Sequence, residues 1–171
     1  GHTEEMVSNS FSVAKTIVAV LIGIAIEEGY IESLDDPASL YLSEFGVKDK
    51  AKITIRHLLQ MASGLDWEES RNPLSDNAES YYGSDLRRLV MGKSIECAPG
   101  EMFKYQSINT QLLSYIIESS TEMSLAEYAE IKVWNRIGAE HDAYWSLDKE
   151  LGDEKAFCCI YATARDYAKI G

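Results

Sequence analysis

The sequence predicts a mainly α chain with few strands. Three observations carry that prediction: an unbroken apolar run at 17–26, a series of helix-start signals downstream of it, and only short stretches that read as extended. A chain of 171 residues, 46% hydrophobic and 26% charged, fits one globular domain able to bury a proper core.

The elements follow in order. Gly1-His2 reads as an expression remnant, so the lack of a leader peptide says nothing about export. Residues 1–10 are polar and lead straight into the central helix. Its run, Ile17 to Ile26, is apolar on every side, which predicts a helix buried all round, and it is too short to span a bilayer. Gly29 ends it. Ser33-Leu-Asp-Asp-Pro37 is a turn, followed by a short helical segment at 38–42. Thr54 caps a helix over 55–61, which Ser63-Gly64 closes. Residues 66–80 mix acids, Asn, Pro73 and Ser and predict a long surface loop, with a helix at 85–91 beyond it. Ala98-Pro99-Gly100 turns the chain into an extended piece at 102–105, and a helix follows over 107–119. Ser124-Leu-Ala-Glu127 is a capping box that opens the next helix, to about 137. Residues 143–147 read as a strand, and Thr163 starts a last helix. The chain starts ten residues before its central helix and stops within another. It therefore reads as a single domain, 1–171, that is a fragment of something larger.

Composition removes several function classes. A net charge of −12 argues against nucleic acid or an anionic membrane surface as partner. The cysteines are Cys97, Cys158 and Cys159; neighbours in sequence rarely pair, so no disulfide framework is expected. His2, His57 and His141 are far apart and no Cys/His ligand spacing occurs, so neither a structural metal nor a cofactor is expected. His57 reads as a satisfied core histidine rather than a base.

Chemistry concentrates at the head of the central helix. Ser12 and Lys15, three apart, share one face of its first turn, where free N–H groups make the potential positive. Such a field favours an oxyanion near Ser12. Burial and positive surroundings disfavour an ammonium, which makes Lys15 a candidate base for a hydroxyl that is a poor nucleophile unaided. The bare S-x-x-K pattern is weak, since roughly one is expected by chance in this composition. A second, Ser146-Leu-Asp-Lys149, lies in a polar stretch with no apolar helix behind it. Context separates the two: a lysine at the head of an apolar helix needs a reason to be there. Tyr105 is the other candidate. Tyr41-Leu-Ser43 and Tyr82-Gly-Ser84 share the spacing of Tyr105-Gln-Ser107, but only Tyr105 follows a Pro-Gly turn and precedes a helix.

Together these residues resemble the serine β-lactamase and penicillin-binding-protein superfamily, in particular class C β-lactamases, related esterases and 6-aminohexanoate-dimer hydrolases. The resemblance lies in Phe11-Ser-Val-Ala-Lys-Thr16, Gly23-Ile-Ala-Ile-Glu-Glu-Gly29, Leu34-Asp-Asp-Pro37, the 53–65 block with Trp67, the 99–113 block and Tyr161-Ala-Thr-Ala-Arg-Asp166. It implies the helical part of the α+β β-lactamase/transpeptidase-like fold, lacking most of its antiparallel sheet. It further implies a serine hydrolase acting on amide or ester bonds through an acyl-enzyme, with Ser12 as nucleophile, Lys15 as proton acceptor and Tyr105 helping the proton to the leaving group. Ser107, at the third place of the tyrosine motif, becomes a substrate-binding candidate. Class C β-lactamases carry Asn there, so Ser107 favours an esterase or amidase relative. The implied partners are a small amide, ester or peptide substrate and the missing sheet portion or another copy of the chain. A periplasmic or secreted location is implied too.

The family's third motif, Lys-Thr-Gly or His-x-Gly on a strand, is missing; Lys169-Ile-Gly171 falls in a helical stretch, and Cys158-Cys159 stands where relatives often have two glycines. The isolated chain is accordingly expected to be weak or inactive. A non-catalytic helical binding or scaffold domain that keeps these residues by descent is the alternative. A glycosidase using Asp66 and Glu68 has little support, since loop acids are usually solvated.

Overall fold

The computed structural model describes residues 3–171; Gly1-His2, read above as a remnant, lies outside them. Three strands form an antiparallel sheet in the order β1 (Val7–Asn9), β3 (Ile160–Thr163), β2 (Tyr144–Trp145). Val7 faces Thr163 and Asn9 faces Tyr161 across one edge of β3, while Tyr144 faces Tyr161 across the other. The helices are α1 (Ala14–Glu27), α2 (Ile55–Leu59), α3 (Asp76–Tyr82), α4 (Leu86–Met91), α5 (Ser107–Thr121), α6 (Leu125–Ala129) and α7 (Ala164–Ala168). A mainly helical body with a small sheet is therefore what the sequence specifies.

The core forms where α1 packs along α5. Leu21, Ile22 and Ala25 of α1, Leu112, Tyr115 and Ile116 of α5, and Leu58 and Tyr128 belong to one core cluster, and all are buried. Side chains of this size contribute about 1.5–3 kcal/mol each when wholly removed from water. Gly29, at φ +78, lets the chain leave α1 in the left-handed turn that Tyr30 N–H closes onto the Ala25 carbonyl at 2.9 Å.

Five expectations are corrected. Helix α1 is not buried all round: Thr16, Ala19, Val20, Gly23 and Glu27 form an exposed stripe. The 66–80 segment is not all loop, because Ser75 accepts the Ala78 N–H and starts α3. The polar residues before α1 include a strand, since the β3 edge supplies partners that a local pattern cannot show. Helix α6 stops early and continues as a π-turn over Glu130–Trp134, where the Asn135 N–H reaches the Glu130 carbonyl. Cys158 and Cys159 are joined as a disulfide. The left-handed backbone at Cys159, φ +71, turns the two neighbouring thiols toward each other. No helix among the described residues is long and apolar enough to cross a membrane.

Candidate active site

Ser12 sits in the tight turn Phe11–Val13 that feeds α1. Phe11, at φ 46, holds the left-handed conformation that non-glycine residues rarely adopt. Its surroundings enforce it: the Phe11 N–H donates to Asn9 Oδ1 at 2.8 Å, and the Ser10 N–H donates to the Ile160 carbonyl at 2.8 Å. Backbone strain of this kind persists only where neighbours over-determine it. Here it pins the residue before the candidate nucleophile against β3.

The three residues singled out in the sequence converge. Lys15 Nζ lies 3.2 Å from Ser12 Oγ, and Tyr105 Oη donates to the same oxygen at 2.9 Å. Lys15 Nζ also donates to the Phe157 carbonyl at 2.7 Å and stands 5.2 Å from the Tyr105 ring centroid. One helical turn and a segment 93 residues away thus share one oxygen. Ser12 is exposed and Tyr105 is 44% exposed, so the hydroxyl is open to a substrate.

Ser107, the fourth candidate, is buried and does not join this cluster by a hydrogen bond; its hydroxyl donates to Glu69 Oε1 at 2.6 Å and its N–H to Glu69 Oε2 at 2.7 Å. His57 takes a structural place at the head of α2, its Nδ1 accepting the Thr54 N–H while Thr54 Oγ accepts the His57 N–H. Asp66 and Glu68 are exposed. Lys169 is tied to Glu140 and Asp166, off any strand. Ser146 and Lys149, the second S-x-x-K, lie in the segment around β2 rather than at a helix head.

Sequence reasoning missed two contributors. Phe157 acts through its carbonyl, and a main-chain oxygen has no signature in the residue type. Its ring also stacks edge-on against Tyr81 at 5.2 Å. Burial raises the Tyr81 phenol, and the charge of Glu69 pushes it the same way. Glu69 itself is an acid in a polar stretch, and nothing local marks it out from Glu68. Among the described residues, no group of three or more His, Cys, Asp or Glu side chains is placed to hold a metal ion.

The family model for Beta-lactamase matches residues 1–171. The chain belongs to the Beta-lactamase family. It is 24% identical over 172 residues to the 6-aminohexanoate-dimer hydrolase of Paenarthrobacter ureafaciens, covering 94% of this chain and 43% of that one. A solved structure from Bacillus anthracis, provisionally named a 6-aminohexanoate-dimer hydrolase, superposes with a TM-score of 0.88 at 26% identity, over 99% of this chain and 48% of its own. A penicillin-binding protein from Bacillus halodurans shares the fold, with a TM-score of 0.77 at 22% identity, over 98% of this chain and 60% of that chain. This Beta-lactamase-family chain thus spans about half the length of the relatives it matches.

Proposed function

We propose that the whole protein is a serine hydrolase that cleaves amide or ester bonds through an acyl-enzyme. The observation that carries the reading is the single oxygen, Ser12 Oγ, held within hydrogen-bond reach of both an amine and a phenol. Ser12 Oγ attacks the substrate carbonyl while the Lys15 amine takes its proton. The tetrahedral adduct collapses as the carbonyl's bond to nitrogen or oxygen breaks, and the proton reaches the leaving group by way of Tyr105. Water then repeats the sequence and frees the acid. The Ser12 N–H supplies one oxyanion donor.

The second donor would come from the strand that carries the third motif in relatives. Losing one such donor costs about 10²–10³ in rate, so the chain of residues 1–171 alone should be slow. A further sheet portion would pack on the exposed stripe of Thr16, Ala19, Val20 and Gly23 along α1, where Val20 is 44% exposed. The names of the hydrolase relatives favour a small amide or oligoamide substrate over a β-lactam. Membership of the family favours a periplasmic or secreted protein.

The test is mass spectrometry of the complete protein after exposure to a penicillin and, separately, to an activated nitrophenyl ester. An acyl adduct that disappears in Ser12→Ala supports the enzyme. Absence of an adduct with every acylating probe would favour the scaffold reading. Fast ester turnover by residues 1–171 alone, dependent on Ser12, would contradict the requirement for the second donor.

A further inference from the structure

Tyr105 needs an explanation for its fixed position. It closes an extended segment that belongs to no strand among the described residues, and it is 44% exposed. A phenol there stays beside Ser12 only if the main chain on both sides is tied. Upstream, the Lys104 N–H donates to the Met61 carbonyl at 2.8 Å. Downstream, the Gln106 amide donates to the carbonyls of Leu65 and Trp67 at 2.9 and 3.2 Å. The loop providing those carbonyls is itself anchored, with the Glu96 N–H on the Gly64 carbonyl at 2.8 Å. A Cβ at Gly64 would stand 2.2 Å from the Cys97 carbonyl oxygen, so only glycine fits that crossing.

The last tie is Glu69. Its carboxylate accepts the Ser107 N–H and the Trp67 indole N–H on Oε2, each at 2.7 Å, and the Ser107 hydroxyl on Oε1 at 2.6 Å. No cation is among these partners. The charge is balanced by the N-terminus of the 15-residue α5, whose dipole favours an anion there. Gln106, the residue at the cap position of α5, makes no cap bond with its own side chain. Glu69 therefore caps α5 from a loop 38 residues away in sequence.

We propose that Glu69 is a positioning residue that holds Tyr105 on Ser12 by fixing the first turn of α5. This rests on the reading of Ser12, Lys15 and Tyr105 as the reactive site. It assigns the acidic loop a role in that reaction without contact to the reacting atoms. Geometry, not charge, is what the role requires. A glutamine could keep it: the amide oxygen takes the place of Oε2, and the amide NH₂ donates to Ser107 Oγ.

The experiment follows labelling of Ser12 by a fluorophosphonate in the complete protein. In that step the Oγ–P bond forms, fluoride leaves, and the hydroxyl proton passes to Lys15. Glu69→Ala is expected to slow labelling about 10²-fold, the cost of roughly 1 Å of misplacement. Glu69→Gln should stay near the wild-type rate. Ser107→Ala, which removes only the hydroxyl bond, should fall between the two. Labelling of Glu69→Ala at the wild-type rate overturns the proposal, and so does a Glu69→Gln variant as slow as Glu69→Ala, because charge rather than position would then be at work. If the wild type takes no label, the serine-hydrolase reading falls and Glu69 is judged on the ¹³Cζ resonance of Tyr105. That resonance should move in Glu69→Ala and hold in Glu69→Gln; a resonance unmoved in both overturns the positioning role.

Discussion

Helices α1 and α5 lie against each other, and sequence and burial run opposite ways in them. Helix α1 is almost wholly apolar, yet one face is open to water. Helix α5 begins Ser107-Ile-Asn-Thr-Gln and carries Ser114 in its middle, yet every residue from Ser107 to Ile117 is buried. The difference teaches that apolarity locates a helix, whereas partners decide its depth. Several polar residues of α5 enter the core because partners on other segments or within the helix answer them, although Asn109 Oδ1 is buried without one among the described residues. Gln111 donates to the Glu154 carbonyl and accepts the Ala156 N–H, each at 2.9 Å, and Ser114 returns its hydrogen to the Gln111 carbonyl at 2.7 Å. The site sits where these helices begin: α1 brings Ser12 and Lys15, and the approach to α5 brings Tyr105.

The sharpest way to break the comparison is the inner face of α1. Leu21→Ala should destabilise by about 3–5 kcal/mol in urea unfolding, because a fully buried leucine leaves a cavity. Gln111→Ala comes next, at about 2–4 kcal/mol, since it strands a carbonyl and an N–H in the core. It should also slow Ser12 labelling, because the freed segment runs directly into Phe157.

A pH series sharpens the picture at the far end of α5. Burial, reinforced by Glu154, pushes the Glu118 carboxyl up to about 7, with Arg87 opposing. A folded-state value above the unfolded one means the native state holds that proton more tightly. The contribution to stability is complete below the ordinary glutamate value and is lost as pH rises through about 7. Glu118→Gln should therefore melt higher than wild type at pH 8 and alike at pH 4. The smallest effect belongs to the outer face of α1. Val20→Lys should shift residues 1–171 by no more than about 0.5 kcal/mol, and a cost near that of Leu21→Ala would show the stripe to be covered.

Local signals were read well from sequence. The cap at Thr54, the capping box at Ser124, the cap at Thr163 and the turn at Gly29 depend only on near neighbours, and each forms where its residues stand. Ser12, Lys15 and Tyr105 also share hydrogen bonds, the third singled out in sequence by the Pro-Gly turn before it and the helix after it, and its role by family resemblance. What escaped depends on distant partners. Strand β1 needs the edge of β3, the exposed stripe of α1 depends on which elements reach it, and the Cys158–Cys159 bond follows from a left-handed backbone that residue types do not announce. Glu69 escaped for the same reason, since its meaning lies in the head of a helix far along the chain.

The measurement that bears most directly on the reactive cluster is peptide mapping of a fluorophosphonate adduct on the complete protein. The cluster predicts one phosphonylated residue, Ser12, with the label strongly slowed in Lys15→Ala and Tyr105→Phe. A label on Ser146 of the second S-x-x-K, or a Ser12 label indifferent to both substitutions, would contradict it.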